Sequence, residues 1–205
     1  MQGTVGVRIK GFLVAMMALF AMSTAATPAS TNTLSMVVGA ATSQPIGHYE
    51  FCQSHRDECG ANRNVAAMDM TEAKWALVRS VNSSVNTTII PMTDKEIYGK
   101  DEVWAYPTTA GDCEDYALLK RRILIQRGFS AANLLMTVVR KPDGEGHAIL
   151  TLRTTKGDFV LDNLASSVKP WFDTPYSFIK RQSSANAGRW VTIENGRDVL
   201  VGALK

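Results

Sequence analysis

At 205 residues and 45% hydrophobic content the chain is one domain's worth of sequence with enough apolar material for a real core. Its formal net charge of +3 is too small for a nucleic-acid-binding surface. No internal repeat and no low-complexity linker divides it.

Arg8 and Lys10 precede an apolar run from Gly11 to Met22, and Ser23-Thr24-Ala25-Ala26 follows. A charged start, a short apolar stretch and small residues at its end are the marks of a secretory signal peptide, here assigned to residues 1–25. The run is twelve residues long, too short to span a bilayer, and no cysteine follows closely enough for a lipid anchor. The expectation is a soluble exported protein cut near Ala25 or Ala26, with a net charge of about +1 once Arg8 and Lys10 are gone. Residues 26–43, rich in Thr, Ser and Ala, are expected to be loosely held, and the folded domain to occupy 44–205.

Export changes how the cysteines Cys52, Cys59 and Cys113 are read. In an oxidising compartment Cys52 and Cys59 are the natural pair, which leaves Cys113 free and in need of a reason. The rival reading makes Cys52, His55 and Cys59, with His48, a zinc site of nonstandard spacing.

Asp69 to Asn82 has Trp75, Leu77, Val78 and Val81 at mostly helical spacing and predicts an amphipathic helix. Asn86 to Gly99 reads as a loop, and Trp104-Ala-Tyr106-Pro107 leads into the small-residue approach Thr108 to Gly111. Cys113 then opens a run of good helix formers that ends at Gly128, with Asp112 where an N-cap belongs. A thiol on the first turn meets unpaired backbone N–H groups and the positive end of the helix dipole, both of which favour thiolate. Asp112, Glu114 and Asp115 oppose that by like-charge repulsion, so an imidazolium or a metal cation should offset them.

Beyond Gly128 the period changes. Asn133 to Arg140, His147 to Thr154, Phe159 to Asp162 and Trp190 to Ile193 are predicted strands, the first two joined by the turn Lys141 to Gly146. Helices followed by a strand meander give an α+β arrangement. His147 begins a strand directly after a glycine-containing loop, and Asp162 ends the next one. A thiol on a helix N-terminus, an imidazole facing it and a carboxylate orienting the imidazole suit nucleophilic acyl transfer. A turn centred on Lys156-Gly157 would set Asp162 opposite Thr151 rather than His147, so strand twist, a bulge or a different register must close the gap.

Gly111-Asp112-Cys113-Glu114-Asp115-Tyr116, Gly146-His147-Ala148 and Leu161-Asp162-Asn163 together resemble the bacterial transglutaminase-like cysteine proteinases. The likeness spans about Ile46 to Ile193 and takes in the cysteine pair, the Asn86 region, Tyr98-Gly99, Trp104, Thr174-Pro175-Tyr176 and Arg181-Gln182-Ser183. It implies a papain-like α+β fold, Cys113 as nucleophile, His147 as general base and acid, Asp162 as orienting carboxylate, and Asp112 and Glu114 as calcium ligands. It also implies a periplasmic protease that cuts a large surface adhesin to release biofilm cells and is sequestered by an inner-membrane cyclic-di-GMP receptor. Two other functions suit the same residues: an amidase or acyl transferase acting on peptidoglycan or another envelope substrate, and a non-catalytic envelope-binding module.

Overall fold

The computed structural model describes residues 34–63 and 65–196, together with 1–4 and 6. The expected signal peptide therefore lies, but for those few positions, outside the described residues. The chain divides into residues 1–31 and 32–205, and the architecture below belongs to the second unit.

A seven-stranded sheet carries the domain, with neighbouring strands antiparallel throughout. Its strands are β1 (Val38–Thr42), β4 (Leu134–Arg140), β5 (Gly146–Thr154), β6 (Gly157–Leu161), β7 (Lys169–Pro170), β8 (Ser177–Ser183) and β9 (Asn186–Ile193), in the order β1-β9-β8-β4-β5-β6-β7. Strands β2 (Ile90–Pro91) and β3 (Ala110–Gly111) form a separate parallel pair. The helices are α1 (Ile46–Ser54), α2 (Glu72–Thr88), α3 (Asp94–Tyr98) and α4 (Cys113–Gln126). This is the α+β arrangement expected from the sequence.

Alternation on the strands builds two cores, because successive side chains point to opposite faces. Leu150 and Leu152 of β5 join Leu134 and Met136 of β4 beneath α4, whose Ala117, Leu118 and Leu124 fill that face. Ile149 of β5 and Val160 of β6 face the other way, among Trp171, Tyr176, Phe178 and Met36. No helix among the described residues is long and apolar enough to cross a membrane.

Three expectations are corrected. The second half of the stretch expected to be loose, 26–43, is ordered: Met36 is buried and β1 pairs with β9. The amphipathic helix runs past Asn82 to Thr88, and the supposed loop Asn86 to Gly99 holds the end of α2, β2 and α3. Helix α3 has a capping box, Thr93 with Glu96, a signal readable in the sequence Thr-Asp-Lys-Glu. Strand β8, within and beyond the aromatic stretch 171–178, and helix α1 went unread; α1 buries Gly47, His48 and Phe51, which make no apolar stripe.

Candidate active site

Gly111 opens the site because a larger residue does not fit: a Cβ there would lie 2.7 Å from Asp115 Oδ2. Asp112 occupies the N-cap position of α4, yet its side chain makes no capping hydrogen bond. Cys113 is the first helical residue and the free cysteine among the described residues. Its thiol donates to Glu114 Oε2 at 3.0 Å, and its Sγ accepts the Ala148 N–H at 3.3 Å. Burial pushes the Cys113 thiol far up, and the neighbouring Glu114 and Asp112 push it further; the Ala148 amide works against them.

Asp115, which the helical rotation points away from the thiol, is fully buried and accepts the Ala105 N–H at 2.8 Å. It ties the segment around Trp104 to the start of α4. Burial raises its carboxyl to about 7.

The register of β5 and β6 explains how Asp162 reaches His147. Thr154 pairs with Gly157 and Leu150 with Leu161, so the turn centres on Thr155-Lys156 rather than Lys156-Gly157. Asp162, one step past Leu161, thereby falls level with Ile149, and His147 is its diagonal neighbour on the same face, within reach of long side chains. Gly157 makes that turn possible at φ +110°, and a Cβ there would strike the Leu34 carbonyl at 2.3 Å.

His147 Nε2 lies 2.9 Å from Asp162 Oδ1. Leu164 N–H donates to the same oxygen at 3.0 Å, and the Tyr176 hydroxyl donates to Asp162 Oδ2 at 2.6 Å. Burial works against the charge on Asp162, but the hydrogen bonds from His147, Tyr176 and Leu164 outweigh it and keep the carboxyl below its ordinary value. A carboxylate only accepts, so Nε2 is the protonated nitrogen and Nδ1 is left for the cleft. Asn86 Nδ2 donates to the Asp162 backbone carbonyl at 2.8 Å and holds the strand end.

Cys113 and His147 line one cavity of about 290 Å3 with Glu114, Ala148, Gly146, Val138, Pro45, Trp104, Glu102 and Lys180. Trp104 donates its indole N–H to Glu102 Oε1 at 2.8 Å while remaining largely buried.

Carboxylate oxygens of Asp112, Glu114 and Asp94 all lie within 4.8 Å of one another. Asp94 Oδ2 accepts the Val103 N–H, whereas Asp94 Oδ1 and Asp112 Oδ1 are buried without a hydrogen-bond partner among the described residues. Burial raises the carboxyls of Asp112 to about 6 and Glu114 to about 9, with repulsion from Asp94 adding to the first and repulsion from Asp112 to the second. Three oxygen donors, two of them orphaned, fit a hard cation of flexible coordination, and calcium suits such a set better than zinc. Asp94 went unread because it lies in α3, outside the Gly111–Tyr116 motif, and carries no ligand spacing of its own; the tertiary fold alone brings it to Asp112.

The zinc reading does not fit. Cys52 and Cys59 form a disulfide, so neither offers a thiolate. His55 stacks on Phe51 with ring centroids 4.2 Å apart, and His48 is buried between Trp104 and Trp190.

A sequence profile of the bacterial transglutaminase-like cysteine proteinases matches residues 38–198. Among solved structures, calcium-bound Legionella pneumophila LapG is 26% identical with a TM-score of 0.49, covering 60% of this chain and 72% of that one. Two further structures of LapG from the same organism, one of them EGTA-treated, each give 25% identity, a TM-score of 0.48, and coverage of 57% of this chain and 66% of that one. No curated protein matches. With the profile spanning well over half of its length, the chain belongs to the bacterial transglutaminase-like cysteine proteinases.

Proposed function

We propose that the chain is an exported, calcium-dependent cysteine endopeptidase working through Cys113, His147 and Asp162. The observation that carries the reading is the Asp162–His147 hydrogen bond of 2.9 Å at the wall of the cleft that Cys113 lines. His147 Nδ1 takes the Cys113 proton, and Sγ attacks the carbonyl carbon of a peptide bond. The Cys113 backbone N–H, at the first turn of α4, is a donor for the oxyanion. His147 returns the proton to the leaving amine, and water then releases the acyl group by the same route in reverse. Asp162 holds the imidazole in the tautomer this requires, and Tyr176 and Leu164 hold Asp162.

Asp94, Asp112 and Glu114 would hold the calcium ion. Bound there, the cation supplies the positive charge that offsets the acids beside the thiol. The Ala148 amide already favours the thiolate from the other side.

The family likeness and the signal-peptide pattern support a periplasmic location, a large surface adhesin as substrate and a cyclic-di-GMP receptor as regulator. The test is to incubate the purified protein with the N-terminal region of a candidate adhesin in calcium. Cleavage should stop in Cys113→Ala, with an unchanged circular dichroism spectrum. Persistent cleavage by a folded Cys113→Ala protein would overturn the mechanism.

A further inference from the structure

Strand pairing carries the cleft wall away from Cys113 in a defined direction. Ala148, whose amide meets Cys113 Sγ, pairs with Val138, and Val138 pairs with Lys180. Directly paired residues share a face, so the three side chains form one cross-strand row on the α4 side of the sheet, and all three line the cavity. At about 4.8 Å per strand, Lys180 lies roughly 10 Å from Ala148.

Lys180 is half-buried, and its Nζ is held on the wall by a hydrogen bond to the Ser43 carbonyl at 2.9 Å and by the Trp190 ring 5.9 Å away. The buried guanidinium groups of the domain have anions: Arg121 pairs with Glu58 at 3.1 Å and Arg181 with Asp158 at 2.9 Å. Lys180 has no carboxylate partner among the described residues. Burial lowers its pKa with no acid to counter it. A partly desolvated ammonium wants an anion, and the space in front of this one is the cleft.

The acids on the same cavity do not fill that need. Glu102 Oε1 is taken by the Trp104 indole N–H, and Glu114 belongs to the acid cluster with Asp94 and Asp112.

The geometry points to Lys180 as a specificity-determining residue that binds an acidic side chain of the peptide substrate two or three residues from the scissile bond. The distance follows from extended peptide at about 3.3 Å per residue against the roughly 10 Å to Lys180. This rests on the proteolytic reading above.

The test is cleavage-site profiling by mass spectrometry on a decapeptide library of random sequence with amidated C-termini, in calcium, so that side chains are the carboxylates on offer. The wild-type protein should cut peptides with Asp or Glu at one such position about tenfold better than those with Ala or Gln, a factor within reach of one charge-assisted hydrogen bond. Lys180→Met should lose that ratio, and Lys180→Glu should transfer it to Lys and Arg. Both variants are scored by the ratio between peptides within one digest, which a general loss of activity does not move. Cys113-dependent cleavage with no acidic preference, or a preference that survives both substitutions, overturns the inference alone. Absence of any Cys113-dependent cleavage overturns the proteolytic reading and this inference with it.

Discussion

Asp94, Asp112 and Glu114 sit within 4.8 Å of one another although only Asp112 and Glu114 share an element boundary with Cys113. If the cluster holds calcium, Asp94→Asn should weaken binding about tenfold or more, since charge count tunes such sites, while Asn keeps an oxygen for the Val103 amide. Competition against a fluorescent chelator measures this directly, and an unchanged affinity would remove Asp94 from the site. Tyr176 acts one step further out: its hydroxyl is 2.6 Å from Asp162 Oδ2, and its ring lies 5.5 Å from that of His147. Tyr176→Phe keeps the ring and deletes the bond, worth about 1 kcal/mol, so kcat/KM should fall about fivefold. The melting temperature should fall by only about 2 to 4 °C. A rate equal to wild type would mean that His147 and Leu164 suffice to fix Asp162.

At the scale of elements, α1 docks with Phe51 in the core and with His48 against β8 and β9. Gln182 fixes the polarity of that contact: its Oε1 accepts the Met136 N–H at 2.9 Å and its Nε2 donates to the Ala187 carbonyl at 2.7 Å. Gln182 Nε2 therefore also presents N–H to His48 Nε2, 3.0 Å away, and His48 must accept with a bare nitrogen. Burial, helped by the Arg121 charge, lowers the His48 pKa to about 4. The unfolded chain, with His near 6.5, binds this proton first as pH falls, so stability is full above about pH 6.5 and declines towards pH 4. The gap of roughly 2.5 units corresponds to about 3 kcal/mol. Acidification from pH 7.5 to 4 also acts through the raised acids Asp112, Glu114 and Asp115, in the opposite sense and in wild type and variant alike, so His48 is read as a difference. The urea midpoint of the wild-type protein should drop relative to that of His48→Gln as pH falls, and parallel pH profiles would clear His48 of the effect.

The whole domain is closed by its own N-terminal segment. The Leu34 carbonyl accepts from Asp158 N–H at 2.9 Å and from the Trp171 indole at 3.2 Å, while Met36 N–H donates to Asp158 Oδ2 at 2.9 Å and Met36 itself fills the second core. Asp158 is also the partner of Arg181, so the strap sits on a buried ion pair. A chain beginning at Gln44 would lose β1, the burial of Met36 and an amide donor to that carboxylate. Relative to a chain beginning at Asn32, it should be destabilised by about 3 kcal/mol, summing a buried Met side chain and a lost charge-assisted bond. Urea unfolding measures the difference, and coincident transitions would show that the domain begins at Gln44 after all.

Cys113 at a helix start, His147 at the head of a strand and the alternation of β5 were legible because each depends on neighbours within a few residues, through helix propensity, turn residues and period 2. The Cys52–Cys59 pair was legible for the same reason, lying seven residues apart. The Gly111–Tyr116, Gly146–Ala148 and Leu161–Asn163 motifs were enough to name the family, since they combine three separate local signals. What local sequence left open was register and remote partnership. A two-residue turn at Thr155-Lys156, braced by the Leu34 carbonyl against Gly157, decided that Asp162 meets His147 diagonally. Asp94 comes to the acid cluster from α3, Tyr176 to Asp162 from the segment before β8, and Lys180 to the cleft from β8, and none of them announces itself by proximity to Cys113. Strand order and pairing across the sheet determine those meetings, and they arise from packing two opposite faces at once, a constraint that no single stretch of residues carries.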